Sequence, residues 1–239
     1  MREHPTKAAS PAPRALRPFT VDGAVMARIR PMQARDAARV AELHHAAMGN
    51  SLWARLGQRF LTMLYRTLVD SDRFLAFVYE EDGVIRGFIA GSTDPDAMLT
   101  ETFRRAWFLL GPAAFPRVLH PGVLWKLQET RHYAERSNAV RLPPGVLAES
   151  LFCSFEPDKR GNRVSGHVNK VLFDELLARG HRFVKITTEV DNEGANRQLQ
   201  SWGFEDCGRF RFYGKDMVTY VLDLKRSERV APVSRHPAV

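Results

Sequence analysis

The chain has 239 residues, of which 44% are hydrophobic and 26% charged, and its formal net charge is +8. This balance excludes a wholly disordered chain and a collagen-like repeat, and two cysteines are too few for a disulfide-stapled miniprotein. The length favours one elaborated domain over several small ones.

The location of the charge argues against nucleic-acid binding. Five of the eight net positive charges lie in residues 1–25 and 225–239, and no basic stripe or nucleic-acid-binding motif accompanies the others. No apolar run reaches the ~18 to 20 residues of a membrane span, and the first residues lack the pattern of a signal peptide. We therefore expect two reduced thiols in a cytoplasmic protein with no specific nucleic-acid partner.

The first third of the chain predicts a strand, two helices and a hairpin. Residues 1–24, rich in Pro, Ala and Arg, predict a disordered arm. Hydrophobic periodicity then predicts a strand at 26–30 and helices at 34–48 and 51–70. Apolar runs at 74–79 and 84–90 flank the pair Asp82-Gly83, which is a strong hairpin signal.

Proline breaks dominate the next segment. Residues 95–145 alternate helical stretches at 98–110 and 123–136 with proline breaks at Pro112, Pro116, Pro121 and Pro143, which predicts a helical insertion. The rest predicts strands at 147–155, 183–190, 205–213 and 217–224, with helices at 164–179 and 193–202. One domain is thus expected over 25–224, followed by a flexible basic tail at 225–239.

The loop before the helix at 164–179 is a candidate anion site. A helix start presents free N–H groups and the positive end of its dipole, and Lys159, Arg160 and Arg163 add charge nearby. An ordinary solvated loop is the alternative. Metal binding is not expected, because His44 and His45 lack ligand spacing.

Several short motifs follow one another in the second half of residues 26–224. The strand end Cys153-Ser154-Phe155-Glu156-Pro157 precedes a loop and a helix, and the next strand is followed by Asn192-Glu193-Gly194-Ala195 and by Gly203-Phe204. Together with the order of strand, helices and hairpin before them, these motifs resemble the GNAT superfamily of acyl-coenzyme A N-acyltransferases.

The resemblance implies a mixed, split β-sheet of about seven strands flanked by helices, with the insertion between the third and fourth strands. It also implies acetyl-CoA as acyl donor, with pantetheine along the strand at 151–155 and pyrophosphate at the following loop. The candidate cofactor-binding residues are Cys153, Ser154, Phe155, Arg160, Gly161, Asn162, Arg163, Val164, Ser165, Gly166 and Asn192. For Asn192 a turn-forming role is the alternative.

Three positions depart from the family pattern. Arg163 and Ser165 stand where relatives carry the two glycines of the pyrophosphate loop. Leu199 stands where many relatives place a tyrosine that acts as general acid. These departures leave open an alternative, in which the chain keeps the family's fold but serves as a binding or scaffold module without catalysis.

Two candidate catalytic residues remain. Glu149 falls where many relatives keep a glutamate, and strand alternation predicts that its side chain shares a face with Leu151, Cys153 and Phe155. We expect it to be the general base, with a solvent-exposed strand-edge residue as the alternative. Tyr213, at the tip of the last hairpin, could replace the missing acid or could simply pack on its neighbour.

The expected activity is transfer of an acetyl group from acetyl-CoA to a primary amine of a small molecule, for example an amino sugar, by direct attack in a ternary complex. A protein or peptide amine is the alternative acceptor. A homodimer, with a second copy of the chain as partner, is also compatible with the sequence.

Overall fold

The computed structural model describes residues 19–115, 117–159 and 164–230. Within them the chain forms one mixed sheet with helices on both faces. The strands are β1 (Ile29–Pro31), β2 (Phe74–Glu81), β3 (Val84–Ser92), β4 (Glu149–Phe155), β5 (Phe183–Glu189), β6 (Glu205–Phe212) and β7 (Lys215–Asp223).

The helices fall into three groups along the chain. Those before the first hairpin are α1 (Gly23–Met26), α2 (Ala37–Met48), α3 (Leu52–Arg55) and α4 (Gln58–Leu68). The insertion contributes α5 (Pro95–Ala114), α6 (Pro121–Arg131) and α7 (Tyr133–Asn138), and the last part α8 (Val164–Ala178) and α9 (Glu193–Trp202). None of these helices is both long enough and apolar enough to cross a bilayer.

The strand order is β1-β2-β3-β4-β5-β7-β6, and β4 and β5 are the parallel pair among otherwise antiparallel neighbours. The predicted fold class is confirmed: a mixed sheet of seven strands is flanked by helices, and a helical insertion separates the third and fourth strands. The predicted hairpin is also present, because Asp82 and Gly83 both adopt positive φ, at 52° and 75°.

Two hydrophobic clusters cover the two faces of the sheet. One joins α2 and α4 to the sheet and contains Val40 and Phe88. The other joins α8 and α9 to the opposite face and contains Val168 and Ile89. Phe88 and Ile89 are neighbours in β3, and both are fully buried, which shows that β3 is covered on both sides.

Two predicted elements near the start of the domain are displaced. The strand expected at 26–30 is Ile29–Pro31, because the Asp22 side chain accepts hydrogen bonds from two backbone amides and starts α1 in front of it. The helix expected at 51–70 is two helices. Gly57, with φ of 98°, turns the chain between them.

The proline breaks of the insertion were predicted only in part. Pro121 starts α6, as prolines often do at the first helical position. α5, in contrast, continues through Pro112, and its departure from helical geometry lies at Ala106 instead. The helical insertion is therefore present, but its longest helix runs to Ala114 rather than ending at 110.

The packed structure extends beyond both predicted domain boundaries. The ring of Phe19 lies 5.4 Å from that of Trp202, between α8 and α9. From the other end, the guanidinium of Arg229 lies 5.4 Å from the same indole, and its backbone carbonyl accepts from Lys170 Nζ. Residues 19–24 and 225–230 thus cover the helical face beside α8.

A buried histidine joins α2 to β4. His44 is 1% exposed, its Nδ1 lies 2.7 Å from the hydroxyl of Tyr65, and its ring packs 4.6 Å from that of Phe152. Burial, with a smaller effect of the charge on His45, lowers the pKa of His44 to about 4. The neutral imidazole is therefore part of the packing between these two elements.

This histidine predicts a pH-dependent stability. Because its pKa is lower in the folded than in the unfolded chain, the stabilisation is present above pH 6.5 and is lost as the pH falls toward 4. Between pH 7 and pH 5 the loss should be about 2 kcal/mol. Urea denaturation at both pH values should show that His44→Gln loses this pH dependence of the free energy of unfolding, whereas His45→Gln, at an exposed position, keeps it. The same pH dependence in wild type and His44→Gln would contradict the prediction.

Candidate active site

The sheet opens in its centre. β4 and β5 are paired at Glu149 with Lys185 and at Ser150 with Ile186, and no later pair joins them in the described residues. β4 stays paired with β3 and β5 with β7 on their other edges. Residues 151–155 and 187–189 therefore border an opening, which we call the β4–β5 gap.

A β-bulge lies where the gap begins. Ala90 pairs with Phe152 and Gly91 with Ser150, so that Leu151 is an extra residue in β4. The predicted common face of Glu149, Leu151, Cys153 and Phe155 is therefore wrong. Leu151 packs against the α2-side cluster and Phe155 belongs to the α8-side cluster, because the extra residue breaks the alternation.

The Glu149 carboxylate is buried at the closed end of this gap. It is 3% exposed, its Oε1 accepts a hydrogen bond of 2.7 Å from the hydroxyl of Tyr133 in α7, and its Oε2 lies 3.2 Å from Nζ of Lys185. Nζ of Lys185 is also 3.3 Å from Oγ of Ser137. The solvent-exposed alternative for Glu149 is thus excluded.

Burial and charge act on Glu149 in opposite directions. Loss of water raises the pKa of its carboxyl above the ordinary value, and the charge of Lys185 and the hydrogen bond from Tyr133 partly offset this effect. The same burial, together with the neighbouring carboxylate, raises the pKa of Tyr133 well above 10.0. Tyr133 therefore stays protonated and donates to Glu149.

Tyr213 lies at the turn between β6 and β7, as predicted, and its hydroxyl is 2.5 Å from Oγ1 of Thr130 in α6. Thr130 already donates its only hydroxyl proton to the carbonyl of Lys126. Tyr213 must therefore donate to Thr130. Burial is the main reason that the pKa of Tyr213 is raised.

The three β4 candidates for cofactor binding occupy different surroundings. Cys153 is exposed although β4 is a central strand. Ser154 is buried and donates to the carbonyl of Leu43. Phe155 is 7% exposed and packs over Gly87, where a Cβ atom would lie 2.0 Å from its ring. The side chain of Cys153 is thus the accessible one of the three.

The predicted phosphate loop is described only at its ends. The candidates Arg160, Gly161, Asn162 and Arg163 lie outside the described residues. Before them, Lys159 forms an ion pair with Glu81.

Beyond the loop, the first turn of α8 holds the remaining candidates of that stretch. Val164 is a core residue, and Ser165 contributes its carbonyl to a hydrogen bond from Asn169. A Cβ atom on Gly166 would lie 2.7 Å from the ring of Phe19. Phe19 therefore packs directly on this turn.

Asn192 begins α9. Its Oδ1 accepts a hydrogen bond of 3.2 Å from the amide of Ala195, which is the N-cap interaction. This contact supports the structural alternative considered for Asn192. Leu199, at the position of the family's tyrosine, is 8% exposed and packs in the α8-side cluster.

Sequence reasoning missed the partners of Glu149. Tyr133 is an aromatic residue of the predicted helical insertion, and Lys185 is a charged residue within a predicted strand. An ammonium in the interior of a central strand needs a counter-charge, so Lys185 could have predicted an acidic partner nearby. Ser137 and Tyr133 carried none, because only the folded insertion brings them to β4 and β5. In the described residues, no group of three or more His, Cys, Asp or Glu side chains could hold a metal ion.

Comparison with known proteins gives one curated relative and many similar folds. No family model matches the chain. A mycothiol acetyltransferase of Brachybacterium faecium is 35% identical over 72 residues, which cover 29% of this chain and 22% of that protein. The matched segment is thus about a fifth of the relative's length.

Solved structures match over a much larger part of the chain. An N-acetyltransferase from Staphylococcus aureus Mu50 has a TM-score of 0.54 at 15% identity and covers 81% of this chain and 99% of its own. SsHAT has a TM-score of 0.60 at 16% identity, and the match covers 82% of this chain and 96% of SsHAT. A ribosomal-protein-alanine N-acetyltransferase from Brucella melitensis reaches 0.51 at 16%, with 82% and 98% covered. At these identities the likeness concerns the fold alone, which this chain shares with these solved structures.

Proposed function

We propose that this chain, which has the fold of the GNAT N-acetyltransferases, transfers an acetyl group from acetyl-CoA to a primary amine of a small molecule. The observation that carries the proposal is the β4–β5 gap with the buried carboxylate of Glu149 at its closed end. The segment shared with an acetyltransferase adds support.

The residues around the gap fit the proposed donor. Beyond Ser150, β4 has a strand partner on its β3 edge but none toward β5 in the described residues, so backbone groups on that edge are available to an extended pantetheine chain. The exposure of Cys153 agrees with an open cleft at this place. Acetyl-CoA, when bound, supplies the thioester that the amine attacks.

The start of α8 would hold the pyrophosphate. α8 has 15 residues, and its first N–H groups and dipole favour an anion. Phe19 packs against Gly166 and narrows the approach to α8 from that side, so the phosphates would lie toward Val164 and Ser165. Arg160 and Arg163, predicted from the sequence to border this place, would add positive charge.

Glu149 is the proposed general base. An amine arrives as an ammonium and must lose a proton before it can attack, and a carboxylate whose pKa is raised by burial accepts that proton more readily. The positive charge of Lys185 offsets part of the effect of burial on the pKa of Glu149, while the hydrogen bond from Tyr133 fixes its orientation. Backbone N–H groups of β4 would stabilise the negative charge that develops on the carbonyl oxygen.

Binding of the donor is the first test of this function. Titration with acetyl-CoA should saturate and should raise the melting temperature, because a ligand at 100 times its Kd stabilises by about 2.7 kcal/mol. Absence of binding at millimolar acetyl-CoA would contradict the proposed acetyltransferase function. In that case the double variant Arg163→Gly and Ser165→Gly should be titrated too. Acetyl-CoA binding by this variant, but not by the wild type, would indicate a degenerate module.

A second prediction tests Glu149 as the base. Glu149→Gln should lower kcat by about 10² to 10⁴ and leave acetyl-CoA affinity nearly unchanged, since the amide keeps the shape but accepts no proton. Glu135→Gln, which changes an exposed carboxylate on α7, is the matched control and should be fully active. Thermal denaturation should accompany the assay, because Gln leaves Lys185 without its counter-charge. A folded Glu149→Gln variant within threefold of wild type would remove Glu149 from the catalytic residues.

The proposed role of Tyr213 as acid has its own test. Its proton is engaged with Thr130, so protonation of the leaving thiolate requires that this hydrogen bond be exchanged. Tyr213→Phe should lower kcat by about 10² or more if the phenol donates the proton, without changing the KM for acetyl-CoA. A loss below about threefold would assign Tyr213 to packing alone.

A further inference from the structure

Lys126 is a buried ammonium without a counter-charge among the residues that the structure describes. It lies in the middle of α6 and is 8% exposed, and its side chain has neither a hydrogen bond nor an ion pair to another described residue. Its Nζ lies 3.7 Å from the centroid of the Tyr213 ring and 5.8 Å from that of Trp125. Aromatic faces stabilise such a cation only in part, because they replace little of the water that burial removes.

A second cation lies on the same face of α6. Nη1 of Arg55 is so close to this helix that a Cβ atom on Gly122 would lie 3.2 Å from it. Gly122 precedes Lys126 by four residues, which places both on one helix face. Arg55 is exposed and, like Lys126, forms no ion pair with the described residues.

The positive charges near Lys126 act on its ammonium in the same direction as burial. Burial lowers the pKa of Lys126, and the charges of Arg55 and Lys215 lower it further. Of these neighbours, Lys215 is neutralised by Glu189 at 2.5 Å. Within the described part of the chain, Arg55 and Lys126 are left as two cations without an ion pair, which we call the Lys126–Arg55 pair.

This pair borders the proposed reaction site. The ring of Tyr213, over which Lys126 lies, packs against the same hydrophobic cluster as Leu151 and Phe152 of β4. The ion pair of Glu189 with Lys215 marks the end of β5, on the other side of the β4–β5 gap. The Lys126–Arg55 pair is thus on the α2 side of the gap, whereas α8 covers the opposite face.

We infer that the Lys126–Arg55 pair binds an anionic group of the acceptor, a carboxylate or a phosphate, so that the substrate is an amine that carries a negative charge. This inference rests on the proposed acetyltransferase function. The anion would supply the counter-charge that Lys126 lacks, and the guanidinium of Arg55 would add a second, more exposed contact. Specificity follows, because a neutral amine would leave the buried ammonium unpaired.

Matched pairs of acceptors test this inference. Wild-type protein with acetyl-CoA should be assayed for CoA release with β-alanine against propylamine and with O-phosphoethanolamine against ethanolamine. The anionic member of at least one pair should have a kcat/KM about tenfold higher or more, and the preferred pair distinguishes a carboxylate from a phosphate site. Equal rates within both pairs would overturn the inference while leaving the acetyltransferase function intact.

Variants identify the residue responsible. Lys126→Met keeps the apolar stem and should abolish the preference for the anion, whereas Lys126→Arg should retain it. Arg66→Gln removes an exposed positive charge from α4 and is the matched control, with the preference unchanged. Arg55→Gln changes an exposed residue and should weaken the preference for the anion. This variant tests the inference even if Lys126→Met fails to fold. A preference that persists in both Lys126→Met and Arg55→Gln would contradict the assignment.

A binding measurement separates this inference from the activity. With CoA present at millimolar concentration, inorganic phosphate should raise the melting temperature of wild type and of Arg66→Gln more than that of Lys126→Met. Equal stabilisation of all three would overturn the anion site whatever the enzymatic result. Failure to bind acetyl-CoA, with the phosphate effect present, would instead reject the proposed function and keep the site.

Discussion

The rest of the structure depends on the limited hydrogen bonding between β4 and β5. Each of these strands is paired along its length with a different neighbour, β4 with β3 and β5 with β7, so the sheet can open between them without losing a strand. The bulge at Leu151 lies where the opening begins. Because unpaired strand edges in a protein interior are costly, such an opening is expected to have a ligand that completes the hydrogen bonds.

The closed end of the gap is held by charges rather than by apolar packing. Glu149 and Lys185 form the pair that precedes Ser150 and Ile186, the last pair before the gap, and Tyr133 contacts Glu149 from the insertion. A buried ion pair contributes little net stability compared with apolar residues of the same size, since both groups lose their water. The proposed role of Glu149 as general base would account for a buried ion pair at this place, and the hydrogen bond from Tyr133 joins α7 to it.

Local signals in the sequence identified most elements correctly. The turn at Asp82 and Gly83 and the helix that begins after Asn192 follow from residues whose conformational preferences are strong and local. The bulge had no such signal, because it depends on how β3 and β4 align, and one extra residue was enough to reverse the predicted face of Glu149. The partners of Glu149 were equally hidden: the chain separates Tyr133, Glu149 and Lys185 by 16 and 36 positions, and only the complete fold joins them.

The turn at Tyr213 links the two proposals about chemistry. Tyr213 and Gly214 both have positive φ, at 51° and 75°, which costs the tyrosine about 1 kcal/mol that a glycine would not lose. The bulk of the ring compensates, because it packs under the ammonium of Lys126 while its hydroxyl binds Thr130, one turn further along α6. The proposed acid and the proposed anion site would therefore share one side chain, whose ring faces the ammonium and whose hydroxyl faces Thr130.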